Sequence, residues 1–188
     1  EQLLAYFDQI NSFSALHEVG VFSPRQTYNG QVVKYSHAYE DKIAVMTSGC
    51  LISVNGFLLT KGFRDEFFID EVDNEYCMHI KQLGMRVVIV NYARLAHQLG
   101  ELQVIKLFGI LEKEYIYHPP FRYYYMVRNI LVLMKLYPEH RKFLCKRLKK
   151  LIKRILLYHN WNKMKTIKMC LKGWQDAHRN IMGQLNEP

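Results

Sequence analysis

Residues 67–78 read FFIDEVDNEYCM, which places Asp70, Glu71, Asp73 and Glu75 within six positions behind an apolar FFI. Carboxylates crowded beside apolar residues are costly to place unless a cation, a proton or a polar substrate compensates them. Further along, RLAHQLGE brings His97, a side chain that binds borderline metals. Two uses of the acidic run are open. At a helix N-terminus the acids complement the macrodipole, for a few tenths to about 1 kcal/mol each. At a site, one carboxylate is a general base that takes the proton of a substrate hydroxyl. The preceding FFI favours a site, because it makes the run part of a buried element. A lone histidine such as His97 near a strand end is more often structural than a ligand, and it holds a metal only with carboxylates or phosphates from elsewhere. The site reading requires the acidic run and His97 to converge on one pocket.

Two further groups carry chemistry. Arg122, the tyrosines Tyr123, Tyr124 and Tyr125, and Arg128-Asn129 are suited to stacking on a ring or gripping a phosphate. They suit equally a helix that packs its aromatics on a body. Residues 142–154 hold Lys142, Lys146, Arg147, Lys149, Lys150, Lys153 and Arg154 around an apolar stripe of Leu144, Leu148, Leu151, Ile152 and Ile155. A solvated face, a polyanion contact and a membrane-surface helix all use such a pattern. The apolar stripe, with Leu156, Leu157, Tyr158 and Trp161 beyond it, favours an anionic membrane surface along residues 142–158 over nucleic acid, which requires no apolar face.

The elements that must position these groups follow from spacing. Leu3, Leu4, Phe7 and Ile10 predict a short amphipathic helix, and residues 19–35, whose apolar runs are separated by Pro24 and by Asn29-Gly30, predict a strand, a turn and a second strand. Residues 43–54 read as a buried strand crossing a turn at Ser48-Gly49. Residues 71–83 read as a helix closed by Gly84, and MRVVIVNYARLAH as a strand that delivers His97 at its end, where α/β sheets commonly bind ligands. Residues 103–117 predict one more strand. After Pro119-Pro120 the chain turns helical, with segments up to Pro138, over 139–158 and within 162–182. The class is therefore α/β, followed by a basic helical tail.

Charge divides the same way. Residues 1–118 hold 10 Lys+Arg against 14 Asp+Glu, and residues 119–188 hold 16 against 3. An acidic body over 1–118 and a basic amphipathic helical region over 119–188 are expected, the latter suited to a polyanionic surface. The cysteines Cys50, Cys77, Cys145 and Cys170 show neither CxxC spacing nor a disulfide framework, as in a reducing cytoplasm. No apolar run reaches the roughly 18–20 residues of a membrane-spanning helix.

The succession SGCLIS, KGFRDEFFIDEVDNEYC, LGMRVVIV, AHQLGE and RYYYMVRN resembles the C-terminal half of family 2 inverting glycosyltransferases of the GT-A fold, over about residues 1–140. It is most similar to a bacterial rhamnosyltransferase subgroup of polysaccharide biosynthesis. KGWQDAHRNIMG is similar to that subgroup's tail, with His178 where a glycine is often found, and His79 stands where relatives usually carry arginine. The resemblance implies a partial GT-A-like mixed sheet, the acceptor-side half, over 1–118. It implies that the catalytic base falls on Asp70, then Glu71, then Asp73. Ser48 and Gly49 line the acceptor side with Arg128, and His97 coordinates a divalent cation, Mg2+ or Mn2+, on the donor diphosphate. It implies a nucleotide-sugar donor in the full-length protein, a glycan or lipid-linked acceptor, and a place in the cytoplasm, peripheral at the inner face of the plasma membrane. The family's donor half, with its Asp-x-Asp motif, has no counterpart in these residues. The chain is therefore expected to be a C-terminal portion, inactive alone, with sheet edges that allow pairing with a second copy. The competing readings are a nucleic-acid-binding module or metal-dependent nuclease using the basic tail, and a non-catalytic adaptor; no specific nucleic acid is expected as partner.

Overall fold

The computed structural model describes residues 19–27, 36–96, 102–107, 111–116, 118–158 and 162–185, with backbone alone at 102–107, 111–116 and 158. It is a mixed α/β structure that divides into two compact units. One comprises Glu1–Arg64 and Val72–Gln98, the other Asp65–Glu71 and Leu99–Pro188.

The first unit is built on a four-stranded sheet in the order β2-β4-β1-β3. Strands β1 (Val19–Thr27) and β4 (Arg86–Ala96) pair in parallel at its centre, while β2 (Tyr39–Asp41) and β3 (Leu51–Ile52) flank them antiparallel. Continuous apolar runs such as VVIV suit central strands covered on both faces. One face packs Val21 and Val87 with Tyr76, Cys77, Ile80 and Met85, and the other gathers Val19, Phe22, Val88, Val90 and Ala93. β1 runs through Pro24, and its register shifts between Pro24 and Arg25. A bulge accommodates the residue that lacks an N–H. Beyond the shift, Arg25 bonds Glu40 and Asn91. The Asn29-Gly30 turn, the strand expected after it, and the helix expected at residues 1–12 lie outside the described residues.

Two helices complete this unit. α1 (Val54–Thr60) is capped by Ser53, whose hydroxyl accepts from the Gly56 amide. α2 (Val72–Gln82) ends at Gly84, which takes φ +80 as the sequence predicts, while the Met85 amide donates back to the Ile80 carbonyl. Gly56 and Gly20 let backbone approach Ile80 closely: a Cβ would stand 2.8 and 2.4 Å from its side chain. The strand expected over 43–54 survives only as Leu51–Ile52. The Ser48-Gly49 turn forms, but the Val45 carbonyl accepts the Cys77 thiol rather than a ladder bond. Val45 thus serves the core from irregular chain.

The second unit holds a β5–β6 hairpin (Leu102–Leu107 and Leu111–Ile116) where one strand was expected. Helices α3 (Pro120–Leu136), α4 (Arg141–Tyr158) and α5 (Lys163–Arg179) follow. α3 begins on Pro120, where a missing N–H costs nothing, and stops before Pro138. α3 and α5 cross closely at Gly173, where a Cβ would meet the Tyr124 carbonyl at 2.4 Å. Tyr124 also donates to Asp176 at 2.8 Å, and burial pushes its phenol up to about 12. The inner stripe of α4 is Leu144, Leu148, Leu151 and Ile155; Ile152, expected in the same stripe, points outward at 47% exposure. The helical period alone places Ile152 between the two faces, and packing puts it outside.

Candidate functional site

The acidic motif sits on an unusual piece of backbone. A single 3-10 turn, Asp65–Phe67, leads into Phe68, Asp70 and Glu71, all three at φ +62. Left-handed backbone costs a residue with a Cβ about 1–2 kcal/mol. Three such residues within four positions persist only where the surroundings over-determine them.

Two consecutive residues of α3 supply that determination. The Asn129 amide nitrogen donates to the carbonyls of Phe67 (3.0 Å), Ile69 (2.9 Å) and Asp70 (2.8 Å). The Arg128 guanidinium donates to the carbonyls of Phe67 (3.1 Å), Glu66 (3.3 Å) and Gly183 (2.6 Å), and through Nε to Asn129 Oδ1 (2.9 Å). Both side chains are wholly buried. Arg128 also lies over the rings of Tyr124 and Tyr125, 5.3 and 5.0 Å from their centroids. The Phe68 ring packs on Tyr125 at 5.1 Å. The Gly183 amide donates to the Glu66 carbonyl at 2.7 Å and ties the segment after α5 to the same turn.

The turn presents two carboxylates to two arginines. Both oxygens of Asp70 accept from Arg122 of α3, at 2.5 and 3.1 Å, and the Arg122 guanidinium also meets His118 Nδ1 at 3.2 Å. Both oxygens of Glu71 accept from Arg147 of α4, at 2.5 and 3.2 Å. Bidentate pairing fixes the rotamer as well as the charge. The Asp70 side chain is 11% exposed and that of Glu71 is 4%. Asp70 is thus the more accessible of the two to a solute. Each of its oxygens retains a lone pair beyond the one Arg122 uses.

The rest of the acidic run behaves differently. Asp73 and Glu75 lie in the first turn of α2, within the first unit. Asp73 accepts from the Thr47 hydroxyl at 2.5 Å, and buried Glu75 pairs with Arg64 at 3.1 Å. They are helix-start acids with partners in the same unit. Ser48 and Gly49 form an exposed turn one residue beyond Thr47, with Gly49 at φ +70. Arg128, expected at an acceptor, has its guanidinium on backbone carbonyls and tyrosine rings instead of on a surface. His97 lies outside the described residues, and so does its convergence with the acidic run. Among the described residues no three His, Cys, Asp or Glu side chains are grouped as a cation site. Burial pushes the Cys77 thiol up to about 12 and the Cys50 thiol up to about 11, which disfavours the nucleophilic thiolate at both.

Sequence reasoning singled out Arg128-Asn129, with a ring or phosphate grip and a packing helix both open, and did not foresee the turn they hold. It missed His118 and the pairing roles of Arg122 and Arg147. A signal existed for Arg122, since 122 and 129 are two helical turns apart and share a face. None existed for Arg147, one cation among many in α4.

This arrangement of a strained acidic turn held by a helix accompanies a distant relation to sugar-transferring enzymes. Over 90 residues the chain is 33% identical to the dTDP-rhamnosyl transferase RfbF of Shigella flexneri, a stretch covering 48% of this chain. The chain matches 29% of that relative's length. No family model and no solved structure matches. The relation supports a glycosyltransferase link and, in general terms, a transferase role.

Proposed function

We propose that this chain contributes the acceptor-activating part of an inverting glycosyltransferase that takes a nucleotide sugar, of which rhamnose is the sugar the resemblance and the relative favour. The acidic turn carries the reading: strained backbone, fixed carboxylates and the partial exposure of Asp70 coincide with the motif that the resemblance assigns to the base. In this reading an acceptor hydroxyl hydrogen-bonds to Asp70, which takes its proton as the oxygen attacks the anomeric carbon. The new C–O bond forms as the bond to the nucleoside diphosphate breaks, with inversion. Arg122 fixes the Asp70 carboxylate and Asn129 fixes the backbone beneath it; both are positioning residues. Glu71, more enclosed and held by Arg147, is the second choice as base, and Asp73 the third. Ser48 and Gly49 are retained as acceptor-side residues and His97 as a cation ligand. A divalent cation would supply charge stabilisation to the leaving diphosphate. The mixed α/β sheet is compatible with a partial glycosyltransferase-like fold.

The test uses the protein expressed from its whole reading frame, with labelled dTDP-rhamnose and a lipid extract of the source cell as acceptor. Asp70→Asn keeps the shape and removes the base; transfer should fall about 10²-fold or more, with a stability loss of no more than about 1 kcal/mol from the weakened Arg122 pair. Undiminished transfer in Asp70→Asn and in Glu71→Gln alike would remove the assignment.

A further inference from the structure

Helices α4 and α5 turn apolar side chains outward. α4 already buries Leu144, Leu151 and Ile155, yet Ile152 and Leu156 remain 47% and 58% exposed, one helical turn apart. With Leu157 they form the floor of a shallow groove whose walls are the stems of Lys149 and Lys153. α5 buries Thr166, Gly173, Asp176 and Ala177, and leaves Met164, Leu171 and Trp174 at 68%, 57% and 50% exposure. Residues 141–179 hold 13 Lys+Arg and a single acid, Asp176, which is itself buried and paired with Lys172. Lys149 and Lys153 form no ion pair with a described residue.

We propose that these outer faces of α4 and α5 are a docking surface for the headgroup–acyl boundary of an anionic bilayer. Two features must be explained together. A purely solvated basic face has no reason to expose Ile152, Leu156, Leu171 and Trp174. A phosphate-binding face uses the cations and leaves the apolar groups idle. The boundary of an anionic membrane takes both: lysine stems lie along apolar surface while their ammonium groups reach phosphates, and an indole favours that depth. No described helix is long and apolar enough to cross a membrane. The proposal stands apart from the chemistry of the acidic turn.

The full chain is floated with phosphatidylcholine vesicles, with and without phosphatidylglycerol. Partition should favour the anionic vesicles by about tenfold or more and fall with salt. Emission of Trp174, isolated by Trp161→Phe, should shift to the blue on binding. The double variant Ile152→Ser/Leu156→Ser alters exposed positions only and should lose about tenfold in partition with an unchanged circular dichroism spectrum. Lys149→Gln/Lys153→Gln provides an independent variant and should lose the anionic preference. The proposal is overturned by equal partition to both vesicle types. It is also overturned if the serine variant binds as well as the parent, or if RNA binds with the same insensitivity to that variant, since either outcome means a polyanion site. A concentration-dependent dimer dissolved by the serine substitutions, with no vesicle binding, would assign the groove to a second copy instead and overturn it too.

Discussion

Asp70 and Glu71 lie on one side of Val72, Asp73 and Glu75 on the other, and the two pairs live in different physical circumstances. The first pair stands on left-handed backbone, belongs to the helical unit, and draws its partners from far along the chain, at Arg122 and Arg147. The second pair opens a regular helix of the sheet-containing unit and draws its partners, Thr47 and Arg64, from the chain that precedes it within that unit. Acids at a helix start stabilise the element that carries them. Acids on a strained turn cost the fold stability and need an external frame. The contrast separates acids that support their own helix from acids that other elements must hold in place, within one short run that looks uniform as a sequence.

The frame is the first place to break this contrast. Asn129→Ala removes a donor from three carbonyls; that of Phe67 keeps Arg128 and the Ile69 amide, while those of Ile69 and Asp70 cost about 1–3 kcal/mol each if left unsatisfied. We expect a loss of about 3 kcal/mol or more in denaturant unfolding. Asn129→Asp, which keeps the shape but not the amide protons, should lose a comparable amount. A cost below about 1 kcal/mol in Asn129→Ala would mean that the turn holds its own shape.

A pair of substitutions then sharpens the contrast. Arg122→Ala should cost only about 1 kcal/mol of stability, because its guanidinium is 31% exposed, yet lower kcat for transfer with KM little changed. Arg122→Lys should restore part of kcat. Thr47→Val, which strips Asp73 of its donor, should cost about 1 kcal/mol and leave transfer untouched. Equal effects of Arg122→Ala and Thr47→Val on kcat would erase the distinction between the two halves of the run.

An ordinary surface pair sets the baseline. The Arg86 guanidinium, bonded to both oxygens of Asp41, holds that carboxyl below its usual value of 3.8. The folded pKa is the lower one, so this contribution is fully present above the unfolded value and is lost as pH falls through the folded one. Because the Asp41 side chain is 52% exposed, Asp41→Asn should remove less than about 0.5 kcal/mol near neutral pH and slightly flatten the acid limb of the stability curve. A larger loss would show that exposed pairs here matter as much as the framed carboxylates.

Much of the fold is legible in the residues themselves. Local steric and hydrogen-bonding rules act within a few positions, so Gly84 ends α2, Pro120 opens α3 and VVIV forms a central strand. The strand through Pro24 was not legible, because a bulge is decided by the register of its neighbour. The 103–117 hairpin was missed because KLFGILEKEYIY carries Phe108-Gly109 rather than an Asn-Gly or Asp-Gly reversal signal.

The acidic motif shows the same division at the site. Its composition, and the apolar FFI before it, mark residues 67–75 from sequence alone, because carboxylates beside apolar residues carry an electrostatic cost wherever they fold. Which carboxylate gains an arginine, which backbone turns left-handed, and whether Arg128 faces a ligand or a carbonyl depend on contacts between residues some sixty positions apart. Helical period likewise gives α4 an apolar stripe, but only packing buries Leu151 and turns Ile152 to the outside. Pattern fixes what each segment can do; the enthalpy of long-range contacts, set against chain entropy, selects what it does.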